Sequence, residues 1–451
     1  MLHELETDYL IVGAGAVAWA FADEIIRQSR DLRVIVVDRR AKPGGHWNDA
    51  YRFVRLHQPA AYYGVNSEVL ESGVEDLASG PKILAYYERV MEKLCATGRV
   101  SFYPQCEYEG EGRFRSLVTD ELTYQVTVRC KTVDACYSKI TVPSSSPPSY
   151  DVAEGVSLVP INGLSRLGRP WSRYVVIGAG KTGIDAVLYL LGRRVDPDRI
   201  TWIVPNPTWM INRDLSFPEV AGRLISEFMR VLAEVENEDE MLLRGEERGW
   251  FFRLDESLWP TRYRCATVTR GELDQLRRVQ HIVRLGRVSR IEASEIVLAD
   301  GRLPTGKDIL HIDCTADGLV KRSPRAVFDG DRITLQPLVH CQQIFSAALT
   351  AFIELKNSDD ATKNSHSVPV PHPELPQDMV KGLLLGLSNQ RRWLKPYFWW
   401  LMRSRLSIVR HISFFGKIRV LMAFVRWDKR IIQNSERFSE EGERAEPETV
   451  S

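Results

Sequence analysis

Several features that mark common protein classes are missing from this sequence. Its seven cysteines include no Cys-x-x-Cys pair and no spacing typical of metal ligands, so neither a dithiol reductase nor a structural zinc site is expected. No uncharged apolar run reaches the roughly 18 residues that a membrane-spanning helix needs. The formal net charge of +1 does not single out nucleic acid or any other charged partner.

A targeting segment is also not expected. The first apolar run begins by residue 9, which leaves no room for a signal or transit peptide before it. An odd number of cysteines without a secretory signal favours reduced thiols in a reducing compartment. The chain length fits about three domains, and the composition, 44% apolar and 26% charged, is that of an ordinary globular protein. We therefore expect a cytoplasmic protein without a metal site.

The sequence does contain a nucleotide-binding turn. An apolar run at residues 9–12 leads into Gly13-Ala14-Gly15-Ala16-Val17-Ala18, an amphipathic segment follows, and a second apolar run ends on Asp38. Strand, glycine turn, helix, strand and acid form the dinucleotide fingerprint. Gly13 permits the tight turn, Gly15 lets a pyrophosphate approach the backbone, and Ala18 lets the helix lie close to the strand. Asp38 can accept hydrogen bonds from ribose hydroxyls, and the helix N-terminus attracts the phosphates.

The turn has a second copy, Gly178-Ala179-Gly180-Lys181-Thr182-Gly183, which begins 165 positions after the first. Two such turns indicate FAD on the first domain and a nicotinamide nucleotide on the second. The strand after the second turn ends in Val204-Pro205-Asn206, with no acid for a ribose diol. Lys181 and Arg213 can serve a 2′-phosphate, so NADPH is predicted over NADH. The alternative is a second domain that keeps its fold but has lost its ligand.

Between the turns, three segments resemble those of the flavin-containing and Baeyer–Villiger monooxygenases. Gly44-Gly45-His46-Trp47 resembles their GG-x-W segment, which passes beside the flavin. The segment from Tyr51 to His57 resembles the Baeyer–Villiger Tyr-Pro-Gly-x-Arg-x-Asp in its Tyr and Arg positions, with His57 where that family has an active-site aspartate. Asn66-Ser67 resembles the Asn-Ser of flavin-containing monooxygenases, whose Asn faces the flavin. One departure is large: both families carry F-x-G-x-x-x-H before the second turn, and here Gly163 is followed by no such histidine.

The resemblance implies a divergent FAD-dependent monooxygenase. NADPH would reduce the flavin, and a flavin C4a-(hydro)peroxide would pass one oxygen atom to a small organic substrate. His57 and Asn66 are the predicted catalytic residues, with His57 governing protons because an unperturbed histidine titrates near neutrality. A hydrogen-bonded histidine without a chemical role and an ordinary turn asparagine remain the alternatives. The predicted FAD-binding residues are Gly13, Ala14, Gly15, Ala16, Ala18, Asp38, Arg39, Gly45, His46, Trp47, Arg55 and Gln58. The predicted NADPH-binding residues are Gly178, Gly180, Lys181, Thr182, Gly183 and Arg213.

The predicted fold is α/β, with two Rossmann-like dinucleotide-binding domains and a helical C-terminal cap. Residues 1–150 and 316–356 would form the FAD domain, and 151–315 the NAD(P)-binding-like domain with a helical insertion at about 216–280. A linker at 357–378, a basic and aromatic helical cap at 379–435 and a disordered acidic tail at 436–451 would follow.

The helical cap has an unusual composition. Residues 380–430 hold 12 Lys and Arg against one acid, interleaved with aromatic side chains. Packing on the FAD domain is favoured over contact with a membrane surface, and nucleic-acid binding is not expected. Three other functions stay open: an NADPH-independent flavin oxidase, dehydrogenase or isomerase; a non-catalytic flavin-binding redox module; and quinone-type reduction at a membrane.

Overall fold

The computed structural model describes residues 2–70, 77–316 and 322–445. Its strands are β1 (Leu2–Val12), β2 (Val34–Val37), β3 (Gly64–Val65), β4 (Glu68–Val69), β5 (Val100–Tyr103), β6 (Cys106–Gly110), β7 (Arg113–Ser116), β8 (Thr123–Asp134), β9 (Asp151–Val152), β10 (Leu158–Pro160), β11 (Arg173–Ile177), β12 (Ile200–Ile203), β13 (Thr208–Asn212), β14 (Phe251–Phe252), β15 (Arg262–Val268), β16 (His281–Val283), β17 (Val288–Ile291), β18 (Glu295–Leu298), β19 (Gly301–Pro304), β20 (Ile309–Asp313), β21 (Phe328–Asp329) and β22 (Arg332–Thr334). Its helices are α1 (Ala16–Gln28), α2 (Gly80–Cys95), α3 (Lys181–Gly192), α4 (Pro218–Glu234), α5 (Glu238–Glu247), α6 (Arg270–Leu276), α7 (Gln343–Lys356), α8 (Asp360–Ser365), α9 (Pro376–Leu394), α10 (Phe398–Arg403), α11 (Ile408–His411) and α12 (Phe414–Ala445).

The first sheet has the central order β22-β8-β1-β2-β5, with every neighbouring pair parallel. All four residues of β2 are buried and apolar, as expected for a strand covered by helices on both faces. Helix α1 follows the first turn and packs against α7, which comes from the far end of the chain. The chain returns to this sheet through β22, so two separated stretches of the chain contribute to one sheet.

The second sheet has the order β10-β20-β11-β12-β16 and is parallel throughout. Its glycine turn joins β11 to α3, in the same way that the first turn joins β1 to α1. The predicted α/β fold with two Rossmann-like units is therefore confirmed. A separate antiparallel hairpin region, β17 to β19, pairs with β9 beside this sheet.

The insertion in the second unit lies between β12 and β16 and is only partly helical. Helices α4, α5 and α6 fall within the predicted range, but they accompany a three-stranded sheet of order β14-β13-β15 that the sequence did not predict. Strand β13 begins at Thr208, before the predicted start of the insertion at residue 216.

The segment expected as a linker, residues 357–378, is packed onto the first unit. It contains α8, and Lys363 on this helix is buried with its Nζ 2.7 Å from Glu354 Oε2 on α7. Helices α9 and α10 continue the packing: Trp393, Tyr397 and Trp400 are all buried. These helices cover part of the core of the first unit.

Helix α12 and part of α10 do not follow the predicted packing. The side chains of Trp399, Phe414 and Phe415 are 71%, 72% and 80% exposed, where a packed cap would have buried them. Helix α12 also runs to Ala445, so the disorder expected from residue 436 is corrected for 436–445. Residues 446–451 of the predicted tail and residues 317–321 of the predicted return segment lie outside the described residues. Among the helices of the described residues, none combines the length and the apolar character needed to cross a bilayer.

Candidate cofactor and active site

Glycine is required at and beside the first turn because of the backbone conformation and because of close neighbouring atoms. Gly13 has a φ of +101°, and a Cβ there would lie 2.5 Å from Cys136 Sγ on the neighbouring strand end. Gly45 has a φ of +56°, and its Cβ would lie 3.0 Å from the Cα of Gly15. The backbone of the Gly44-Gly45 segment therefore lies directly against the turn, because neither glycine carries a side chain.

Asp38 holds this turn in shape. Its Oδ2 accepts a hydrogen bond from the backbone N–H of Ala14 at 2.6 Å, and its Oδ1 accepts from the N–H of Arg40 at 2.7 Å. The carboxylate is buried, so these contacts also offset its loss of hydration. Each oxygen has a further lone pair, so Asp38 can still accept from a ribose hydroxyl.

The N-terminus of α1 is built to bind an anion. Its N-cap is Gly15, no side chain caps the free N–H groups, and the first turn contains no acidic residue. Uncapped N–H groups and the helix dipole together attract phosphate. Ala16 begins this helix, and Ala18 is fully buried against the sheet. These features fit the pyrophosphate of a dinucleotide such as FAD.

The second turn repeats this construction. Gly178 has a φ of +118°, with a Cβ there 2.8 Å from the carbonyl oxygen of Cys314, and a Cβ on Gly183 would lie 2.0 Å from the carbonyl oxygen of Gly178. Gly180 is the N-cap of α3, again without a side-chain cap. Lys181 and Thr182 are the first two helical residues, so this N-terminus also fits a phosphate.

The two cations predicted for a 2′-phosphate are already paired. Lys181 Nζ contacts Asp185 Oδ1 one helical turn later. Arg213 is buried, with its Nη2 2.5 Å from Glu272 Oε2. Neither side chain is held free for a phosphate, and the sequence could not show this because Arg213 and Glu272 are far apart in the chain.

A groove beside the second turn offers a further arginine that sequence reasoning missed. The groove reaches Ala179 of the turn and Val204 at the end of β12, and Arg284 lines it. Arg284 Nη2 pairs with Asp255 Oδ2 at 3.0 Å, but its buried Nε has no hydrogen-bond partner. A buried donor without a partner is costly unless a ligand accepts from it. The position after β16 is the only sequence signal that could have indicated this residue.

Residues 51–57 join the two nucleotide-binding units. The Tyr51 hydroxyl donates to Asp185 Oδ2 on α3, and the ring of Phe53 stacks on Tyr189 with centroids 4.0 Å apart. The backbone carbonyl of His57 accepts from Thr267 Oγ1 on β15 at 3.2 Å. The segment that resembles the Baeyer–Villiger Tyr-Pro-Gly-x-Arg-x-Asp therefore contacts α3 and β15 of the second unit.

The side chain of His57 is exposed to solvent, and its charge state differs from the sequence expectation. The dense protein around the imidazole lowers its pKa to about 4, and the positive charges of Lys181 and Arg213 contribute. The pKa of His46 is also lowered to about 4, by burial first and by Arg40 second. Both shifts favour the neutral imidazole, so the expected titration of His57 near neutrality is not supported.

Asn66 is committed to structural contacts. Its Nδ2 donates to Glu24 Oε2 at 2.8 Å, and its Oδ1 accepts from Ser404 Oγ at 2.9 Å. Both partners belong to the packing of the C-terminal segment on α1. These contacts favour the alternative in which Asn66 fixes a turn, and they give no support to a catalytic role.

The remaining predicted residues have varied surroundings. Trp47 is buried and its Nε1 donates to the Tyr63 hydroxyl at 2.6 Å, with the ring of His46 stacked on it. Arg39 is exposed and paired with Glu107. Arg55 is exposed and donates to the carbonyl of Leu77, while Gln58 is half-buried. Only the contacts of Trp47 fix its side chain firmly next to the turn.

Comparison with known proteins agrees with this architecture. Residues 11–72 match the NAD(P)-binding Rossmann-like domain family. In structure, the chain is similar to polycyclic ketone monooxygenase from the fungus Thermothelomyces thermophila, with a TM-score of 0.51 and 11% identity, over 97% of this chain and 88% of that one. It is also similar to OTEMO in complex with FAD and NADP, with a TM-score of 0.50 and 14% identity, over 89% and 92% of the two chains.

The chain therefore shares the two-unit fold of these two proteins. Its similarity in sequence is to uncharacterized proteins of Mycobacterium tuberculosis and Mycobacterium bovis, each 44% identical over 425 residues, which covers 90% of this chain and 78% of theirs. The chain belongs to one protein family with these mycobacterial proteins.

Proposed function

We propose that the chain is an FAD-dependent oxidoreductase that uses NADPH and transfers one oxygen atom from O₂ to a small organic substrate. The observation that carries this proposal is the pair of similarly built glycine turns, joined by residues 51–57. Each turn leads into a helix whose N-terminus has no capping side chain. Two anion sites connected by one segment suit two dinucleotides that must exchange electrons.

Each part of the site has a task in this proposal. Gly15, Gly45 and the N-terminus of α1 hold the FAD pyrophosphate, and Asp38 accepts from its ribose. FAD, when bound, supplies the redox and oxygen-transfer chemistry. The Tyr51 hydroxyl holds Asp185, and Asp185 holds Lys181 at the N-terminus of α3. His57 enters the reaction as a neutral imidazole, which can accept a proton on one ring nitrogen and donate from the other.

Lys181 and Arg213 are already paired, so we assign the 2′-phosphate of NADPH to a different residue. The unpartnered Nε of Arg284 gives the groove at Ala179 and Val204 a donor for the 2′-phosphate or the adenosine ribose. Arg284→Gln should therefore raise the KM for NADPH more than that for NADH. Arg302→Gln is the matched control, because Arg302 is an exposed arginine of β19 whose partner is Glu295.

The spectrum of the purified protein tests the proposal. The protein should be yellow, release FAD on denaturation and be bleached by NADPH without oxygen. Oxygen uptake with cyclohexanone is the first substrate assay, because a cyclohexanone-bound cyclohexanone monooxygenase shares the fold. Folded protein that cannot bind FAD would refute the proposal. If the substrate reduces the flavin but NADPH does not, the result would favour the NADPH-independent alternative.

We also propose that α12 contacts an anionic membrane surface, which reverses the preference drawn from the sequence. One stripe of the helix packs on α4, where Gly222 and Gly416 meet closely. The opposite stripe exposes apolar side chains at helical spacing: Phe414, Phe415, Ile418, Leu421, Met422 and Val425. Arg419, Arg426, Lys429 and Arg430 are exposed beside it. An apolar stripe among cations fits a bilayer interface with acidic headgroups.

Vesicle sedimentation tests this contact. The full chain should bind anionic vesicles, bind neutral ones weakly, and detach as salt rises, because each surface cation contributes about 1 kcal/mol. Phe415→Ser with Val425→Ser should reduce binding, while Leu243→Ser, an exposed leucine on α5, should not. Self-association without vesicle binding would refute this proposal.

A further inference from the structure

Three potential metal ligands meet away from the nucleotide turns. Cys265 lies on β15, while His340 and Cys341 lie just before α7. One ligand atom from each residue lies within 4.8 Å of the other two. His340 Nε2 is 3.7 Å from Cys265 Sγ and 3.9 Å from Cys341 Sγ. The cysteines are 76 positions apart, so sequence spacing gave no sign of this group.

The backbone is shaped to bring the two sulfur atoms together. Cys265 has a φ of +51° and Cys341 a φ of +57°, a conformation that non-glycine residues rarely adopt. The register between β13 and β15 also shifts between Trp209 and Ile211, so β15 bulges at the residues around Cys265. Bulges re-aim side chains, and strained residues persist where the surrounding structure holds them. Both cysteines therefore have a strained backbone conformation at the point where their side chains meet.

The spacing of this group suits a bound ion. Zinc binds thiolate sulfur at about 2.3 Å and imidazole nitrogen at about 2.0–2.1 Å, so a tetrahedral site separates sulfur from nitrogen by roughly 3.6 Å. The two measured sulfur–nitrogen distances, 3.7 and 3.9 Å, are close to this value. The two sulfur atoms are in contact, but the Cα atoms are 7.3 Å apart, beyond the roughly 4.4–6.8 Å usual for a disulfide. An ion therefore fits between the two sulfur atoms only if the cysteine side chains rotate apart, and the wide Cα separation permits that rotation.

We propose that Cys265, His340 and Cys341 form a Zn²⁺ site. Binding replaces the two thiol protons, which leave to solvent, and moves the sulfur atoms apart to two corners of a tetrahedron around the ion. Two thiolates and an imidazole are a donor set that zinc prefers, and one position stays for a non-protein ligand. The ion ties β15 of the insertion to the segment that begins α7, and so links the two nucleotide-binding units.

The packing around His340 holds its ring in one orientation. The ring of Tyr263 lies against His340 with centroids 5.8 Å apart. On the other side α9 passes close by, and a Cβ on Gly382 would lie 3.5 Å from His340 Cδ2. His340 is thus held between the insertion and the C-terminal helices, with Nε2 directed at both sulfur atoms.

Metal analysis of the full-length protein, purified under reducing conditions, tests the proposal. We expect about one zinc per chain. Cobalt exchanged into the site should give thiolate-to-metal charge-transfer absorption and the visible bands of a tetrahedral ion. Cys265→Ser, Cys341→Ser and His340→Gln should weaken zinc binding by more than the roughly 10–100-fold that an outer-shell change costs. Cys130→Ser, an exposed cysteine outside the group, should bind zinc normally.

The wild-type protein alone can overturn the inference, even if a variant fails to fold. Reduced wild-type protein that binds neither zinc nor cobalt would do so. A metal-free protein whose intact mass is two hydrogens below that of the reduced chain, and whose digest contains a linked Cys265–Cys341 peptide, would also do so. The pair would then be a disulfide. Zinc binding that survives all three ligand substitutions would place the metal elsewhere and refute the site.

Discussion

Gly13 and Gly15 stand two positions apart but meet different constraints. At Gly13 the backbone is left-handed and Cys136 Sγ occupies the space of a side chain. At Gly15 φ is −78°, and the nearest atom to an added Cβ is the Cα of Gly45, 3.9 Å away. The first glycine is required by the fold, and the second by the ligand.

Alanine at these two positions should therefore change different properties, the stability of the fold at Gly13 and the retention of FAD at Gly15. Gly13→Ala should lower the free energy of unfolding by on the order of 1–3 kcal/mol, through strain and the clash. Gly15→Ala should leave that free energy nearly unchanged but weaken FAD retention, because the methyl group enters the space of the pyrophosphate. Urea denaturation and the FAD content after gel filtration measure the two effects. A Gly15→Ala protein that retains all its FAD would contradict this assignment.

His46 and His57 predict that the stability of the folded protein decreases in acid. An unfolded histidine has a pKa of about 6.5, whereas His46 and His57 have values of about 4 in the folded chain. The unfolded state thus binds more protons between these values, and the stabilisation present above about pH 6.5 is lost as the pH falls toward 4.

Glutamine at position 46 or 57 should flatten this acid dependence. Melting temperatures of the FAD-free protein between pH 7 and pH 4 give the measurement. His281→Gln is the control, because His281 is exposed on β16. Parallel pH profiles for the wild type and His57→Gln would show that His57 is not kept neutral by its surroundings.

At the scale of elements, a buried arginine of the C-terminal segment binds several backbone carbonyls of the first unit. Arg405 donates from Nε to the carbonyls of Val65 and Glu68, at 2.6 and 2.9 Å, and from its guanidinium ends to those of Ala61 and Tyr63. It therefore fixes the loop at β3 and β4, where Asn66 was predicted to act.

Arg405→Met should be strongly destabilising. It leaves several buried carbonyls without a donor, and each unsatisfied group costs about 1–3 kcal/mol. Arg403→Met, at an exposed arginine of α10, should change the free energy of unfolding little. Guanidinium denaturation compares the two variants. Equal stability of both would mean that the contacts of Arg405 do not hold the loop.

At the scale of the molecule, the C-terminal region completes the first unit. Trp393 and Trp400 are buried in the same core as α1 and α7, and Trp400 Nε1 donates to the buried Glu24 at 2.7 Å. Each large aromatic buries roughly 150–250 Å². Removing residues 379–451 should therefore lower the melting temperature and release FAD, whereas removing 446–451 should do neither. A protein lacking residues 379–451 that keeps both properties would contradict this.

The sequence by itself determined the two nucleotide units. Glycine spacing, short apolar strands and the acid at Asp38 are local signals, since a turn and its flanking elements depend on neighbours along the chain. The helices of the insertion and the basic C-terminal helices were also readable from helical periodicity. The small sheet of the insertion was not, because its three strands are short and their partners are distant.

Only the tertiary structure decided how the site residues are used. The low pKa of His57, the commitment of Asn66 to Glu24 and Ser404, and the pairing of Arg213 with Glu272 all depend on residues distant in sequence. The same holds for the exposed stripe of α12 and for the meeting of Cys265 with His340 and Cys341. Composition shows that a side chain is apolar, charged or a potential ligand. Burial and the partner across the fold decide what that side chain does.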